Sequence, residues 1–217
     1  MSDSITDLIN GYKRFYRKYN NEKYNEYREQ ASLGQEPKVM VIACSDSRVQ
    51  PSIVMQSGLG EVFQVCNVAN IVPPYRPDKG NHHSTSSALE FAVGTLNVEH
   101  IVVMGHSGCG GIRSLMEGAP VALDGEYSFI KQWVEILAQA KKKVVAGVAD
   151  KKERLHACEL EGVKISLKNL MSFPWIAERV EQGRLKLHGW HFDIPSGIIV
   201  AYDDKSEQFT PLTENKV

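Results

Sequence analysis

Short apolar runs that end in polar or glycine-rich sequence dominate the first half of this chain. Residues 39–43 and 101–104 are apolar throughout and too short to be buried helices. Such runs are typical of strands buried on both faces of a parallel sheet. Residues 61–65 lie between glycine-rich and proline-rich sequence and form a further strand candidate. The pattern therefore predicts three strands of one sheet.

Helical periodicity fills the intervals between these strands and most of the second half. Apolar residues recur at three- and four-residue spacing over 84–96, and helices are also predicted over 110–118, 127–148 and 151–170, with another starting at Pro174. Residues 185–192 and 197–202 then form a strand pair. This order predicts an α/β fold with a mostly parallel central sheet flanked by helices. We expect strand order 2-1-3-4, with an antiparallel C-terminal edge strand.

The whole chain, 1–217, is expected to form a single domain. Residues 1–34 read as an N-terminal helical arm that precedes the first strand, and residues 35–217 as the α/β core. Leu8, Tyr12 and Phe15 give the arm an apolar stripe. This stripe fits either the surface of a second copy of the chain or the core of the same subunit.

Composition narrows the classes of partner. The net charge of −1 gives no basic surface for nucleic acid. No apolar run approaches the roughly 18–20 residues of a membrane-spanning helix. The N-terminus lacks a signal-peptide pattern, so we expect a cytoplasmic protein, although a removed transit peptide is compatible with the same sequence.

Polar chemistry follows two of the predicted strands. Cys44, Asp46 and Arg48 come directly after the first, and His106 and Cys109 after the third. Because ligands bind beyond the carboxyl ends of parallel strands, these side chains are expected to converge. Two thiolates and one imidazole suit zinc, and three protein ligands leave a position open for water, as in catalytic sites.

Other readings of the same residues stay open at this point. Cys66 also follows a strand, so a closed structural site with four protein ligands is possible. Asp46 is a further candidate for a fourth ligand. Alternatively, Arg48 holds this carboxylate away from the metal as a bidentate partner, and Asp46 then orients a zinc-bound hydroxide. A redox role for Cys66 is weaker, because no Cys-x-x-Cys spacing lies nearby.

These two motifs together resemble the zinc-site motifs of the β-class carbonic anhydrases. Residues 35–43, 67–74 and 187–193 are also similar to segments of that family, and the resemblance extends from Ile5 to about Leu212. It implies one Zn²⁺ per chain, held by Cys44, His106 and Cys109. It also implies that Asp46 and Arg48 act together as a catalytic pair.

The resemblance further implies a substrate pocket. Gln35 matches a glutamine that hydrogen-bonds the substrate, Phe63 and Val68 match the apolar carbon dioxide pocket, and Gly110 supplies a backbone amide that orients Asp46. Core packing is the ordinary alternative for Phe63 and Val68. Gln35 by its residue type alone would be a solvated loop residue.

The activity that follows from the resemblance is carbonic anhydrase (carbonate dehydratase, a lyase). Zinc-bound hydroxide would attack carbon dioxide to give bicarbonate and a proton, reversibly. Carbonyl sulfide or carbon disulfide is an alternative substrate. Family members assemble as dimers or larger oligomers, so a homodimer or homotetramer is expected.

One branch of the family has an inhibitory bicarbonate pocket that requires a tryptophan and an arginine. The matching positions in this chain are Val41 and Cys66. We therefore expect the bicarbonate-inhibited pocket to be absent.

Overall fold

The computed structural model describes residues 3–20, 25–77, 83–118 and 129–212. Six strands form one sheet in the order β2-β1-β3-β4-β5-β6. Their bounds are β1 Val39–Cys44, β2 Val62–Asn67, β3 His100–His106, β4 Lys186–Asp193, β5 Ile198–Asp203 and β6 Gln208–Pro211.

The predicted topology is confirmed. Strand β1 pairs in parallel with both β2 and β3, and β3 pairs in parallel with β4. Strand β5 runs antiparallel to β4. The sheet extends one strand further than predicted, because β6 returns antiparallel to β5 after a tight turn and becomes the edge.

Nine helices lie in the described part of the chain. They are α1 Ser4–Tyr19, α2 Asn25–Leu33, α3 Pro51–Val54, α4 Ser84–Glu90, α5 Gly110–Glu117, α6 Phe129–Val134, α7 Ala138–Gly147, α8 Arg154–Leu170 and α9 Pro174–Glu181. A π-helical turn, Phe91–Thr95, extends α4. The helix predicted over 127–148 is divided by a 3₁₀ turn at Glu135–Leu137, and its residues 127 and 128 lie outside the described ranges.

The two faces of the sheet are packed differently. On one face, apolar side chains of β1 and β3 form a large core with helices α4, α8 and α9, including Met40, Ile42, Ile101, Val103, Leu89, Val163 and Ile176. The opposite face carries a smaller cluster, which includes Val41, Ala43, Val102, Met104 and Val49. A third cluster surrounds the carboxyl ends of the strands and joins α5 to α6, α7 and α8.

Helix α1 stands apart from these clusters. It has no buried residue, and its apolar side chains are exposed, with Leu8 at 70% and Tyr12 at 62% of full accessibility. The alternative prediction, that this stripe packs in the core of the same subunit, is therefore wrong. No helix in the described residues is long and apolar enough to cross a membrane.

Candidate metal centre

Two neighbouring strands deliver the predicted ligands to one place. Cys44 is the last residue of β1, and His106 is the last residue of β3. After His106 the chain turns through Gly108, whose φ of 68° lies in the left-handed region that favours glycine. Cys109 follows as the N-cap of α5. The sheet order and this short turn thus bring the three side chains together.

The distances among the three ligand atoms fit a zinc ion. The sulfur atoms of Cys44 and Cys109 are 3.9 Å apart, and the three ligand atoms all lie within 4.8 Å of one another. Two thiolates on one tetrahedral zinc, with bonds of about 2.3 Å, stand about 3.8 Å apart. The cysteine pair therefore already has the separation that a shared zinc requires.

The histidine is oriented as a ligand. His106 Nδ1 lies 3.0 Å from the backbone oxygen of Ser107, which can only accept a hydrogen bond. The proton is therefore on Nδ1, and the lone pair of Nε2 faces the two cysteines. Nε2 is buried and, among the described residues, is the one buried side-chain N or O atom without a hydrogen-bond partner. A metal ion would satisfy it.

The Cys44 and Cys109 thiols share a hydrogen bond, with their sulfur atoms 3.9 Å apart. The hydrogen bond with Cys109 lowers the pKa of Cys44, and burial opposes this shift. The same hydrogen bond, together with burial, raises the pKa of Cys109. Metal ligation requires both thiolates, so a bound cation would displace the thiol protons.

Asp46 and Arg48 form the predicted bidentate pair. Arg48 Nε donates to Asp46 Oδ1 at 2.9 Å, and Arg48 Nη2 donates to Oδ2 at 2.7 Å. These hydrogen bonds hold the pKa of Asp46 well below its usual range. Asp46 Oδ2 is 4.0 Å from His106 Nε2, yet Asp46 does not belong to the group of three ligands. It lies beside the site as an ionised acceptor.

Cys66 is placed away from the metal centre. In the β1–β2 register, Cys44 pairs with Asn67 and Cys66 pairs with Ala43. Because side chains alternate between faces along a strand, Cys66 points to the face opposite Cys44. Its sulfur accepts a hydrogen bond from Gln64 at 3.1 Å. The alternative of a closed site with Cys66 as fourth ligand is therefore wrong.

The predicted pocket residues are only partly brought to the metal centre. Val68 follows β2 and contacts the start of α5, and Gly110 is the first residue of that helix. Gln35 lies before the amino end of β1, whereas Cys44 is at its carboxyl end. Phe63 lies in β2, four residues before Asn67, which pairs with Cys44. Each of these two residues is therefore most of a strand length, roughly 13 Å or more, from Cys44 of the same chain.

Glu159 also lies at the site, although no sequence motif pointed to it. This glutamate of α8 is buried, and its Oε1 accepts the backbone N–H of Cys109 at 2.9 Å. Burial raises its pKa, but the imidazoles of His156 and His191 and the Cys109 N–H together lower it to about 2. The available signal was a charged residue at the helical spacing of buried positions such as Val163 and Ser166.

Comparison with known proteins identifies the family. The profile described as "Carbonic anhydrase" matches residues 39–199. Beta carbonic anhydrase 3 of Arabidopsis thaliana is 39% identical over 197 residues, which cover 90% of this chain and 75% of that protein. The chloroplastic beta carbonic anhydrase 5 of the same plant is 41% identical, and the match covers 87% of this chain but only 62% of the relative.

Solved structures agree with this result. The structure of the β-carbonic anhydrase CcaA has a TM-score of 0.86 and 30% identity, and the match covers 97% of this chain and 92% of that one. A tetrameric β-carbonic anhydrase of Sordaria macrospora has a TM-score of 0.75 and 28% identity, covering 92% and 97%. The fold and the Cys₂His centre thus define a zinc enzyme of α/β type. The chain belongs to the β-class carbonic anhydrase family.

Proposed function

We propose that this enzyme converts carbon dioxide and water to bicarbonate and a proton at the Cys44–His106–Cys109 centre. One observation carries the proposal: two thiols and an unpartnered, buried imidazole nitrogen converge within 4.8 Å at the carboxyl ends of adjacent strands. Family membership supports the same reaction.

The chain itself supplies three ligands. Zinc, when bound, provides hydroxide near neutral pH by lowering the pKa of its water; the reference value of about 7 was established for carbonic anhydrase itself, at a centre with three histidines. The Ser107 carbonyl fixes the His106 tautomer, and Glu159 fixes the backbone of Cys109. Both contacts hold ligands in place before metal binds.

Asp46 is the proposed hydrogen-bond acceptor beside the reacting water. Arg48 engages both carboxylate oxygens, which keeps Asp46 ionised and restrains it from becoming a fourth ligand. An ionised carboxylate can only accept hydrogen bonds. A water or hydroxide beside it must therefore point its O–H group at Asp46, which fixes its orientation. The exposed side of this pair then allows a proton to pass to solvent.

The remaining pocket residues require a second copy of the chain. Gln35 and Phe63 lie near the amino half of the sheet, away from the centre of their own subunit. If they contact substrate, as the family resemblance implies, they do so at the centre of a partner. The exposed apolar face of α1 provides a surface for that association. We therefore propose a homodimer or a larger homo-oligomer as the active unit.

Paired cysteine variants test the proposed centre. Cys44→Ala should lose zinc and carbon dioxide hydration, because it removes a ligand. Cys66→Ala is the matched control: it removes a thiol from the adjacent strand on the opposite face, and should keep one zinc per chain and turnover. Loss of zinc in Cys66→Ala, or full activity in Cys44→Ala, would contradict the assignment.

We also propose that bicarbonate does not inhibit this enzyme cooperatively. Val41 is fully buried, and the Cys66 thiol is exposed on the same face of the sheet. Neither offers the cationic or N–H donor that an anion pocket requires. Initial rates measured against bicarbonate at constant pH and ionic strength should fall only as simple product inhibition. Steep, cooperative inhibition would refute this part.

A further inference from the structure

A second group of potential metal ligands lies behind the first. His156 and Glu159 belong to α8 and His191 belongs to β4. One carboxylate oxygen of Glu159, Oε2, is 3.6 Å from His156 Nδ1 and 3.3 Å from His191 Nε2. The three ligand atoms all lie within 4.8 Å of one another.

The buried part of this group is fixed before any ion binds. The side chains of Glu159 and His191 are only 2% and 1% exposed, whereas that of His156 is 59% exposed. Glu159 Oε1 is engaged by the Cys109 N–H, so Oε2 is the oxygen that faces the imidazoles. Two ligands are thus preorganised, and the third is free to adjust from the solvent side.

The distances from Glu159 Oε2 fit shared metal ligands, although the 3.3 Å contact with His191 Nε2 is also a long hydrogen bond. Hydrogen bonds between a cationic imidazole and a carboxylate are commonly about 2.7–2.9 Å long, and a contact of 3.6 Å is not a hydrogen bond. Ligand atoms that share a tetrahedral zinc, at bonds of about 2.0–2.1 Å, lie about 3.3 Å apart. The observed 3.3 Å matches this separation, and a small shift of exposed His156 would bring the other contact to it.

We propose that His156, Glu159 and His191 form a second divalent-metal site, which binds a zinc-like transition metal ion. Two imidazoles and one carboxylate are a ligand set that zinc accepts, and imidazole also suits nickel and copper. Water would complete the coordination from the side of His156. The ion would link α8 to β4 and would lie one hydrogen bond, through Glu159, from the backbone of Cys109.

Metal stoichiometry tests the proposal. The purified full-length protein is dialysed against buffered Zn²⁺, and metal is determined per chain. We expect two zinc ions in the wild type and one in His156→Ala, with the affinity of the second site weakened at least about 10-fold to 100-fold. The matched control His83→Ala removes an imidazole outside the group and should keep two. Because His156 is exposed, its replacement should leave the fold intact.

Cobalt separates this site from the cysteine centre. Co²⁺ bound by Cys44 and Cys109 gives thiolate charge-transfer absorption, whereas Co²⁺ bound by two histidines and a glutamate does not. We expect the first equivalent to produce these bands and the second to add none. One metal per chain in the wild type, or two in both wild type and His156→Ala, would overturn the proposal. Binding that lacks thiolate bands yet disappears in His156→Ala would instead refute the cysteine centre and leave the second site standing.

Discussion

At the scale of single residues, the site depends on how charge is fixed beside the metal ligands. Asp46 is a short acidic side chain next to a cation site and would be expected to bind the metal directly. We propose that Arg48 prevents this, because its planar guanidinium engages both carboxylate oxygens at once. Lysine has the same charge but cannot form this two-point contact.

Replacement of Arg48 tests this role. Arg48→Lys keeps the positive charge and loses the bidentate geometry, so Asp46 should no longer hold one orientation. We expect the turnover number for carbon dioxide hydration to fall by about tenfold to a hundredfold, with zinc content unchanged. Stopped-flow rates and metal analysis on the same preparations measure both quantities. Unchanged turnover would show that the bidentate contact between Arg48 and Asp46 is dispensable.

The convergence of the three candidate ligands with Asp46 and Arg48 could be predicted from the sequence, because these residues directly follow apolar strands and parallel topology gathers side chains at one edge. The role of Glu159 could not be predicted in the same way. Glu159 lies on α8, fifty residues after Cys109, and its contact depends on how that helix packs on the sheet. The exclusion of Cys66 likewise required the register, because a shift of one residue would reverse its face.

At the scale of elements, the start of α5 is packed tightly against the 3₁₀ turn Val68–Asn70. A Cβ atom added to Gly111 would lie 2.7 Å from Val68 Cγ1 and 2.9 Å from Ala69 Cβ. Ala69 has a positive φ of 64° and sits in a constrained turn. The close approach of these elements therefore helps to position Cys109, two residues before Gly111.

Adjacent glycines of α5 allow a matched test. Gly111→Ala should destabilise the protein by about 1–3 kcal/mol through overpacking, and should weaken zinc binding because the helix start must move. Gly110→Ala keeps the backbone N–H and meets no atom within 4 Å, so it should be neutral for folding. Thermal unfolding and zinc competition with a chelator measure the two effects. Equal behaviour of the two variants would argue against the packing account.

Among the elements, the buried strands were the most predictable. Continuous apolar runs such as those of β1 and β3 leave few alternatives once flanking polar residues are considered. Strand β6 has only four residues and no buried side chain, so its sequence carries no comparable signal, and pairing with β5 defines it. The break between α6 and α7 could not be predicted either, because its residues, Glu135–Leu137, include no glycine or proline.

At the scale of the whole molecule, a single chain leaves two features incomplete. The apolar side chains of α1 are exposed to solvent, and Gln35 and Phe63 lie away from the metal centre of their own subunit. Association of two copies would cover the apolar side chains of α1 and would allow Gln35 and Phe63 to act at the metal centre of the partner. The sequence predicted the apolar stripe, whereas the separation of Gln35 from Cys44 became evident only with the fold. The cytoplasmic location stays a prediction.

A charge placed on the apolar face of α1 tests this association. Leu8→Asp should shift the protein towards monomer, because an ionised carboxylate opposes burial in an apolar interface. If a partner completes the pocket, turnover should fall as the oligomer is lost. Arg14→Asp, on the opposite side of the same helix, is the control and should leave assembly intact. Light scattering coupled to size-exclusion chromatography, with turnover measured on the same fractions, provides the readout. A Leu8→Asp protein that remains oligomeric would refute this use of the arm.

Whether the Cys44–His106–Cys109 centre hydrates carbon dioxide can be measured by stopped-flow kinetics on the zinc-loaded wild-type protein, from about pH 6.5 to 9, with zinc content assayed in parallel. We expect fast turnover that rises with pH as hydroxide becomes available, and we expect Cys109→Ala to lose both this turnover and the metal. A protein that holds zinc through Cys44, His106 and Cys109 yet shows no hydration above the buffer background at any pH would contradict this expectation.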